Sequence, residues 1–380
     1  MAGTRNMKHR PGEIRDAILE VLGANGDAMS LKEIETQVSG RLFEVPPSSI
    51  RSYLRLNTPY LFYRPTRAHY MLKEQASLVY GAGSDVQAER PEVFSFGRAA
   101  LYRDDCFNWL RARDSQSIQA VVTDPPYGLV EYSPTQQSKL RAGQGGVWRI
   151  PPSFDGSKRS PLPRFTVLKS RDLQALDVFF HTWARLLLPA LVPGAAVIVA
   201  SNPLLSHVVA GALARAGLER RGEIVRLVMT MRGGDRPKAA HEEFADVSVM
   251  PRSMWEPWLV FRKPIEGRVQ DNLRKWGTGG FRRPSGDRPF GDVIESGPTG
   301  KIERAIAPHP SLKPQSFLRQ LVRSALPLGD GVILDPFAGA GSTLAAAEAV
   351  GYSSIGIEKD DYYYEMARSS IGRLAKLSVK

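Results

Sequence analysis

The stretch Val332-Ile-Leu-Asp-Pro-Phe-Ala-Gly-Ala-Gly-Ser-Thr343 decides the fold of this chain. Its apolar, β-branched opening is typical of a buried parallel strand, and its glycines permit a tight turn into a helix. Such a turn presents backbone N–H groups at a helix N-terminus, where open α/β sheets bind nucleotide-like cofactors. No lysine follows the glycines, which distinguishes the stretch from a phosphate-binding P-loop. The stretch therefore predicts a parallel sheet with a cofactor at its carboxyl edge.

A second stretch, Thr123-Asp-Pro-Pro-Tyr-Gly128, follows an apolar run in the same way. Its Asp-Pro-Pro-Tyr core resembles the catalytic motif of amino-group DNA methyltransferases, which implies transfer of a methyl group to an exocyclic amine. The exocyclic amine of adenine or cytosine is a poor nucleophile, because its lone pair is delocalised into the ring. If the Asp124 carboxylate and the Pro125 carbonyl each accept one N–H, the lone pair becomes free to attack a sulfonium methyl group. Pro125 and Pro126 stiffen the turn because proline fixes φ, and Tyr127 offers a flat face to a base extruded from the duplex.

The two stretches together resemble the catalytic and cofactor motifs of amino-group DNA methyltransferases. The catalytic motif comes first in the chain, which resembles the circularly permuted motif order of the bacterial beta group. The resemblance covers about residues 97–375. It implies an α/β, Rossmann-like, S-adenosylmethionine-dependent methyltransferase fold with a mostly parallel seven-stranded sheet.

Alternating strand and helix patterns from residue 93 onward agree with such a sheet, covered by helices on both faces. The pattern predicts strands over residues 99–102, 120–123, 195–200, 224–230, 258–261, 331–334 and 354–357. It predicts helices over residues 106–113, 173–191, 204–216, 316–325, 343–350 and 362–377.

Several further residues match the family's contacts to S-adenosylmethionine. Glu358 ends the strand after the glycine-rich turn, where an acid can hold both ribose hydroxyls. Asp105, with Asp104 as the alternative, matches the position that caps the adenine amine of the cofactor. Lys313, in His309-Pro-Ser-Leu-Lys-Pro314, is expected to reach the methionine carboxylate. The predicted cofactor-binding residues are Asp105, Asp124, Lys313, Asp335, Phe337, Ala338, Gly339, Gly341, Ser342, Thr343 and Glu358.

The first residue of the catalytic motif bears on which base is modified. In this group aspartate usually accompanies adenine and serine usually accompanies cytosine, so Asp124 favours site-specific transfer to N6 of adenine. The cytosine amine is the alternative. Methylation of RNA bases or of protein glutamine uses related motifs, but the permuted order and the long basic insertions argue against it. A DNA-binding regulator that keeps an inactive methyltransferase fold is disfavoured by the intact Asp124, Tyr127 and Glu358.

The net charge of +12 and the pI near 9.8 favour a polyanionic partner, here double-stranded DNA. Two insertions rich in proline, glycine, serine and arginine interrupt the strand and helix pattern, at 129–172 and 262–308. The first is expected to cover DNA and cofactor, with Trp148 and Phe154 either wedging into DNA or forming its own small core. The second matches the family's target recognition region. The predicted DNA contacts in the first insertion are Lys139, Arg141, Arg149, Lys158 and Arg159, and those in the second are Arg268, Arg274, Lys275, Arg282 and Arg283.

The pattern of residues 1–76 predicts a separate winged-helix-like module, with three helical segments and a hairpin over residues 62–72. Arg51 and Arg55 point outward from its third helix and complete the predicted DNA contacts. A docking or dimerising module of the same fold is the alternative. A linker over 77–92, rich in small and polar residues, leads to the methyltransferase domain at 93–380.

Composition excludes several classes of protein. No apolar stretch reaches the ~18 residues of a membrane span, and no signal peptide is evident, so a cytoplasmic, nucleoid-associated bacterial protein is expected. The single cysteine, Cys106, rules out an internal disulfide framework and a cysteine-rich zinc site, and no metal is expected. The resemblance to the beta group, in which dimers are common, implies a homodimer. The sequence reveals neither the recognition sequence nor whether a cognate restriction endonuclease exists.

Overall fold

The computed structural model describes residues 13–25, 27–42, 45–56, 58, 62–66, 68–72, 92–126, 170–228, 236–237 and 239–379. The chain divides into two compact units, residues 1–90 and 91–380.

The smaller unit contains three helices and a small antiparallel sheet with strand order β1-β3-β2. Its elements are α1 (Glu13–Asn25), β1 (Met29–Ser30), α2 (Leu31–Arg41), α3 (Pro47–Leu56), β2 (Phe62–Tyr63) and β3 (His69–Leu72). A capping box begins α2, because Ser30 and Glu33 each accept a hydrogen bond from the other's backbone N–H. One apolar core, which includes Ile18, Leu22 and Leu54, joins the three helices and the hairpin.

The larger unit is built on a nine-stranded mixed sheet with the order β10-β8-β9-β7-β6-β11-β12-β5-β4. Its strands are β4 (Val93–Phe96), β5 (Ala99–Arg103), β6 (Ile118–Thr123), β7 (Leu191–Ala200), β8 (Glu219–Leu227), β9 (Trp255–Arg262), β10 (Val293–Glu295), β11 (Val332–Asp335) and β12 (Ser353–Glu358). Its helices are α4 (Cys106–Arg111), α5 (Ser170–Ala190), α6 (Ser206–Arg215), α7 (Val269–Trp276), α8 (Lys301–Ile306), α9 (Gln315–Ala325), α10 (Ser342–Ala349) and α11 (Asp361–Ala375).

The predicted count of seven strands is wrong, because two short strands extend the sheet at its edges. β4 pairs antiparallel with β5, and β10 pairs parallel with β8. Neither carries a long apolar run, since an edge strand buries less of its surface than a central one. The expectation that 262–308 lacks regular structure is also wrong, since α7, β10 and α8 lie within it.

The sheet is buried on both faces, as parallel strands covered by helices require. All ten residues of β7 are buried, and alternate residues face opposite sides. Val197 and Val199 pack into the core formed with α5 and α6, whereas Ala196 and Ile198 pack into the core formed with α9. This double burial explains why the central strands were predictable from apolar runs alone.

The strand order brings the two motifs of the sequence together. β6 and β12 both pair parallel with β11, so the carboxyl ends of these three strands lie at one edge of the sheet. Asp124 follows β6, Asp335 ends β11 and Glu358 ends β12. Three acids from distant parts of the chain are thereby placed along one edge. Among the described residues, no helix combines the length and apolar character needed to cross a bilayer.

Candidate active site

Asp124 lies against a buried lysine from a distant part of the chain. Lys313 Nζ donates a hydrogen bond to Asp124 Oδ2 at 2.5 Å. The Asp124 side chain is 19% exposed and that of Lys313 only 8% exposed, so the pair is largely shielded from water. A charge-assisted hydrogen bond in such surroundings holds the carboxylate in one orientation. Pro125 is buried and Pro126 exposed at the same turn, while Tyr127 lies outside the described residues.

Lys313 has a second carboxylate partner. Glu256, at the start of β9, places Oε1 3.2 Å from Lys313 Nζ. Burial alone lowers the pKa of a lysine, but the negative charges of Asp124 and Glu256 outweigh it, and the pKa of Lys313 lies above its usual value. Lys313 is therefore a cation at neutral pH. The sequence predicted a contact of Lys313 with the cofactor, whereas the contacts that the structure shows are to Asp124 and Glu256.

The glycine-rich turn leaves β11 with its backbone in conformations that favour glycine. Gly339 and Gly341 have φ values of 51° and 76°. A side-chain Cβ on Gly341 would lie 2.5 Å from Ile371 on α11, so the turn has no room for one. Phe337 packs against the core, where its ring lies tilted to those of Trp183 and Phe179 at centroid distances of 5.8 Å and 6.0 Å. Ala338 is buried, and Ser342 and Thr343 begin α10.

Asp335 anchors this turn from inside. Its Oδ1 accepts hydrogen bonds from Thr123 Oγ1 at 2.6 Å and from the Phe337 N–H at 3.2 Å. Burial raises the pKa of Asp335 to about 6 even though these donors oppose the shift. The hydrogen bond to Thr123 also connects the end of β11 to the residue just before Asp124.

Glu358 faces the same turn from the end of β12. Its Oε2 accepts from the Gly339 N–H and its Oε1 from the Asp360 N–H, both at 2.8 Å. Each carboxylate oxygen can accept a further hydrogen bond, so Glu358 remains able to hold a pair of hydroxyl groups. Burial raises the pKa of Glu358 to about 6, which leaves it mainly ionised at pH 7.

The raised pKa of Asp335 should make the free energy of unfolding depend on pH. Its folded pKa of about 6 exceeds the usual 3.8, so its stabilising contribution is complete below pH 3.8 and is lost as the pH rises through 6. Asp335→Asn lacks this titration. We therefore expect the free energy of unfolding of the wild type, relative to Asp335→Asn, to fall by up to about 3 kcal/mol between pH 4 and pH 7. Denaturant unfolding at several pH values measures this difference.

The matched control is Asp330→Asn, at an exposed carboxylate five residues earlier in the chain. A wild-type stability that rises relative to Asp335→Asn over the same pH range would contradict the assignment of a buried, raised-pKa carboxyl group.

A comparison with known protein families identifies the class to which this arrangement belongs. The family model N6_N4_Mtase, described as a DNA methylase, matches residues 118–369, which include Asp124, the glycine-rich turn and Glu358. The chain belongs to this family. It is an S-adenosylmethionine-dependent DNA methyltransferase, and the carboxyl edge of its sheet carries the residues that the sequence singled out.

Curated relatives match most of their own length to this methylase. The Type II methyltransferase M.HindIII of Haemophilus influenzae is 24% identical over 301 residues, which cover 72% of this chain and 94% of the relative. The Type II methyltransferase M2.DpnII of Streptococcus pneumoniae is 23% identical over 279 residues, which cover 73% and 91%. Among solved structures, the cytosine-N4-specific PvuII DNA methyltransferase gives a TM-score of 0.48 at 13% identity, over 77% of this chain and 90% of that one.

Asp105 of the methylase lies at the same sheet edge, where it caps a helix. Its Oδ1 accepts from the Phe107 N–H at 2.9 Å at the start of α4. Asp104, the alternative, accepts from the Asp105 N–H at 2.7 Å through its own side chain. Both residues follow β5, which is the neighbour of β12.

The predicted DNA contacts of the methylase differ in their surroundings. Arg268 and Arg274 both pair with Asp271 and have side chains 77% and 75% exposed. Such surface pairs are weak, so these cations remain accessible to a phosphate. Arg282 instead donates to the Tyr352 hydroxyl at 2.6 Å and is half-buried within the fold.

The other predicted contacts are either exposed cations or residues that lie outside the described part of the chain. Lys275 pairs with Glu266, Arg283 donates to the Gly286 carbonyl, and Arg51 pairs with Glu35 in the smaller unit. Arg55 is exposed near the end of α3. The predicted residues that lie outside the described part of the chain are Lys139, Arg141, Arg149, Lys158 and Arg159, with Trp148 and Phe154.

Sequence reasoning missed two residues near the site. Glu256 contacts Lys313, and Arg226 on β8 contacts Glu256 with Nη1 3.0 Å from Oε2. Only Glu256 has a local signal, because it is the only charge in Trp255-Glu-Pro-Trp-Leu-Val-Phe261 and a buried charge requires a partner. Arg226 has none, because β8 also carries Glu219, Arg220, Arg221 and Glu223.

Proposed function

We propose that this DNA methyltransferase is site-specific and transfers the methyl group of S-adenosylmethionine to the N6 amine of adenine in a base flipped out of duplex DNA. The observation that carries the proposal is the position of Asp124. Its carboxylate lies at the sheet edge beside the glycine-rich turn and is held by Lys313. We further propose that the order of the two motifs places the enzyme in the permuted beta group.

The residues at the glycine-rich turn fit a nucleoside-containing cofactor. The turn at Gly341 has no room for a side chain. Glu358 is fixed by two backbone N–H groups, and its carboxylate oxygens can each accept a further hydrogen bond. We propose that Glu358 holds the ribose hydroxyls, that Asp105 or Asp104 meets the adenine amine, and that the turn from Asp335 to Thr343 cradles the rest. When bound, S-adenosylmethionine supplies an electrophilic methyl group on a sulfonium sulfur.

The catalytic role of the motif is to bind and orient the amine that is methylated. Asp124 and the Pro125 carbonyl accept its two N–H groups, which draws the nitrogen toward tetrahedral geometry and localises its lone pair. Lys313 supports this role because its ammonium group stabilises Asp124 as a carboxylate, the form that only accepts hydrogen bonds. Tyr127 stacks on the extruded base.

Adenine is proposed over cytosine because aspartate occupies the first motif position. A direct test incubates the purified protein with methyl-labelled cofactor and duplex DNA, then digests the DNA to nucleosides. We expect the label in N6-methyl-2′-deoxyadenosine. Label in N4-methyl-2′-deoxycytidine would replace adenine with cytosine as the modified base. In parallel incubations, label in RNA or protein but not in DNA would contradict the DNA substrate.

Two regions are proposed to contact DNA. The segment 262–308 would recognise the target, with the exposed Arg268 and Arg274 gripping phosphate or reading guanine. The insertion 129–172 would close over DNA and cofactor. Most cations in it have no acidic neighbour in sequence, which suits a polyanion.

The smaller unit is proposed to be a winged-helix-like DNA-binding module. Its three helices and hairpin have the element order of that architecture, and Arg51 and Arg55 are exposed on α3. We expect removal of residues 1–85 to weaken DNA binding about tenfold at moderate salt and to flatten its salt dependence, because fewer phosphates are neutralised. Cofactor affinity should stay unchanged.

Fluorescence anisotropy with duplex DNA at several salt concentrations measures this effect, and calorimetry with the cofactor checks the fold of the remaining domain. DNA affinity that is the same with and without residues 1–85 at every salt concentration would reject a DNA-binding role for the module.

A further inference from the structure

The ion pair between Asp124 and Lys313 is part of a longer row of buried charges. Lys313 contacts Glu256 at 3.2 Å, and Glu256 contacts Arg226 at 3.0 Å. The four side chains alternate in sign and are each between 8% and 19% exposed. Charges removed from water to this extent are stable only with opposite partners in good geometry. The row therefore ties the candidate catalytic carboxylate to the two antiparallel strands β8 and β9.

We propose that Glu256 is a positioning residue for methyl transfer, which holds the ammonium group of Lys313 beside Asp124. The inference rests on the proposed function, in which Asp124 binds the amine that is methylated. Glu256 acts through Lys313 and is not itself assigned a contact with the substrate.

The need for a second carboxylate follows from the lysine side chain. Lysine carries its charge on a flexible four-carbon stem, so one partner at its end leaves the ammonium group free to rotate. Asp124 and Glu256 approach Nζ from different elements, and the two contacts together fix its position. A fixed ammonium group keeps Asp124 in one orientation, which is what binding an amine in a reactive geometry requires.

Glu256 is itself held by a rigid anchor. Arg226 donates to the Ser296 hydroxyl at 3.1 Å and to the Gly297 carbonyl at 3.0 Å, and its guanidinium lies 5.2 Å from the centre of the Phe317 ring. A planar guanidinium fixed on three sides presents its remaining N–H groups to Glu256 in one geometry. The Trp258 indole N–H donates to the same carboxylate oxygen at 3.4 Å.

The charge of Glu256 also determines how firmly Lys313 keeps its proton. Among the described residues, the ionisable groups that face Lys313 include Asp124 after β6, Glu256 on β9, Arg226 on β8 and His309 in its own loop. Burial lowers the pKa of His309 to about 4, so it is neutral at pH 7. Burial and Arg226 lower the pKa of Lys313, and the two carboxylates raise it. Without Glu256, Lys313 should lose its proton at a lower pH.

The same two strands provide a matched control. Glu219 and Arg262 are directly paired across β8 and β9, just as Arg226 and Glu256 are, but at the other end of the strands. Their ion pair measures 2.6 Å and has no contact with Asp124 or Lys313 among the described residues. Glu219→Gln therefore breaks an equivalent cross-strand pair without touching the site.

The test compares Glu256→Gln, Glu256→Asp and Glu219→Gln with the wild type in DNA methylation between pH 6.5 and pH 10. We expect Glu256→Gln to lower kcat by about 10- to 100-fold, with unchanged cofactor affinity, because the amine-binding geometry is loosened. Its activity should also begin to decline at the alkaline end of this range, whereas the wild type, in which the pKa of Lys313 lies above its usual value, should keep its activity to pH 10. Glu256→Asp keeps the charge at a greater distance, so kcat should fall while the remaining activity persists to pH 10 as in the wild type. Glu219→Gln should match the wild type.

Wild-type kcat in Glu256→Gln would overturn the inference. So would a loss equal to that of Glu219→Gln, or a Glu256→Gln activity that persists to pH 10 as the wild-type activity does. If Glu256→Gln fails to fold, the kcat of Glu256→Asp tests the inference instead, and a wild-type kcat in that variant overturns it. A wild-type protein that methylates no DNA would instead contradict the proposed function.

Discussion

Asp124→Ala is expected to reduce kcat for DNA methylation by about 1000-fold, which is the scale of losing a placed electrostatic group in an active site. The variant removes the acceptor proposed for the amine and the contact of Lys313 with Asp124, while the contact of Lys313 with Glu256 stays. The affinity for S-adenosylmethionine should fall far less than kcat, since the other predicted acidic contacts, Asp335 and Glu358, are untouched. Asp124→Asn keeps an oxygen acceptor but loses the charge, so its kcat should lie between those of Asp124→Ala and the wild type.

Single-turnover methylation of duplex DNA measures the loss, and calorimetric titration with the cofactor checks the fold. Asp114→Ala is the matched control, because Asp114 is an exposed acid in the turn that precedes the strand ending before Asp124. If Asp124→Ala methylates DNA at the wild-type rate, the amine-binding role of the motif is wrong.

Glu358→Ala is expected to weaken cofactor binding by at least about 100-fold. Two hydrogen bonds from ribose hydroxyls to a buried carboxylate are worth about 1.5–3 kcal/mol each, and both are lost. The variant also removes the acceptor for the Gly339 and Asp360 N–H groups, which loosens the glycine-rich turn. At saturating cofactor the methylation rate should recover most of its wild-type value.

The control for this variant is Asp361→Ala, three residues further on, whose side chain is 72% exposed. An affinity of Glu358→Ala for the cofactor within twofold of the wild type would contradict the assignment of Glu358 to the ribose.

The parts of this molecule that the sequence predicted are those with local signals. Apolar runs identified the buried strands, and the residues at their ends, Asp124, Asp335 and Glu358, follow from the rule that parallel strands share a carboxyl edge. The edge strand Val93–Phe96 was not predicted because it has only four residues, one of which is the polar Ser95, so its apolar run is too short to stand out. The helix Val269–Trp276 was not predicted because the arginine, lysine and glycine residues around it are typical of an irregular loop.

The partner of Lys313 could not be predicted, since that contact joins residues 189 positions apart. A motif assigned Lys313 to the cofactor, whereas the structure pairs it with two carboxylates that no local pattern connects. Glu256 and Arg226 show the same limit, because a charge inside a strand signals that a partner exists but does not say which residue it is.

We propose that this protein methylates adenine at one short sequence in duplex DNA. Expression in a bacterial host that lacks DNA methylation, followed by long-read sequencing of the host DNA for modified bases, tests this proposal, with Asp124→Ala as the inactive control. We expect N6-methyladenine at a single recurring motif in the wild-type sample and none in the control. Methylated cytosine amines would show that the base is not adenine, and unmodified DNA from cells that contain folded, cofactor-binding protein would show that the protein does not methylate DNA.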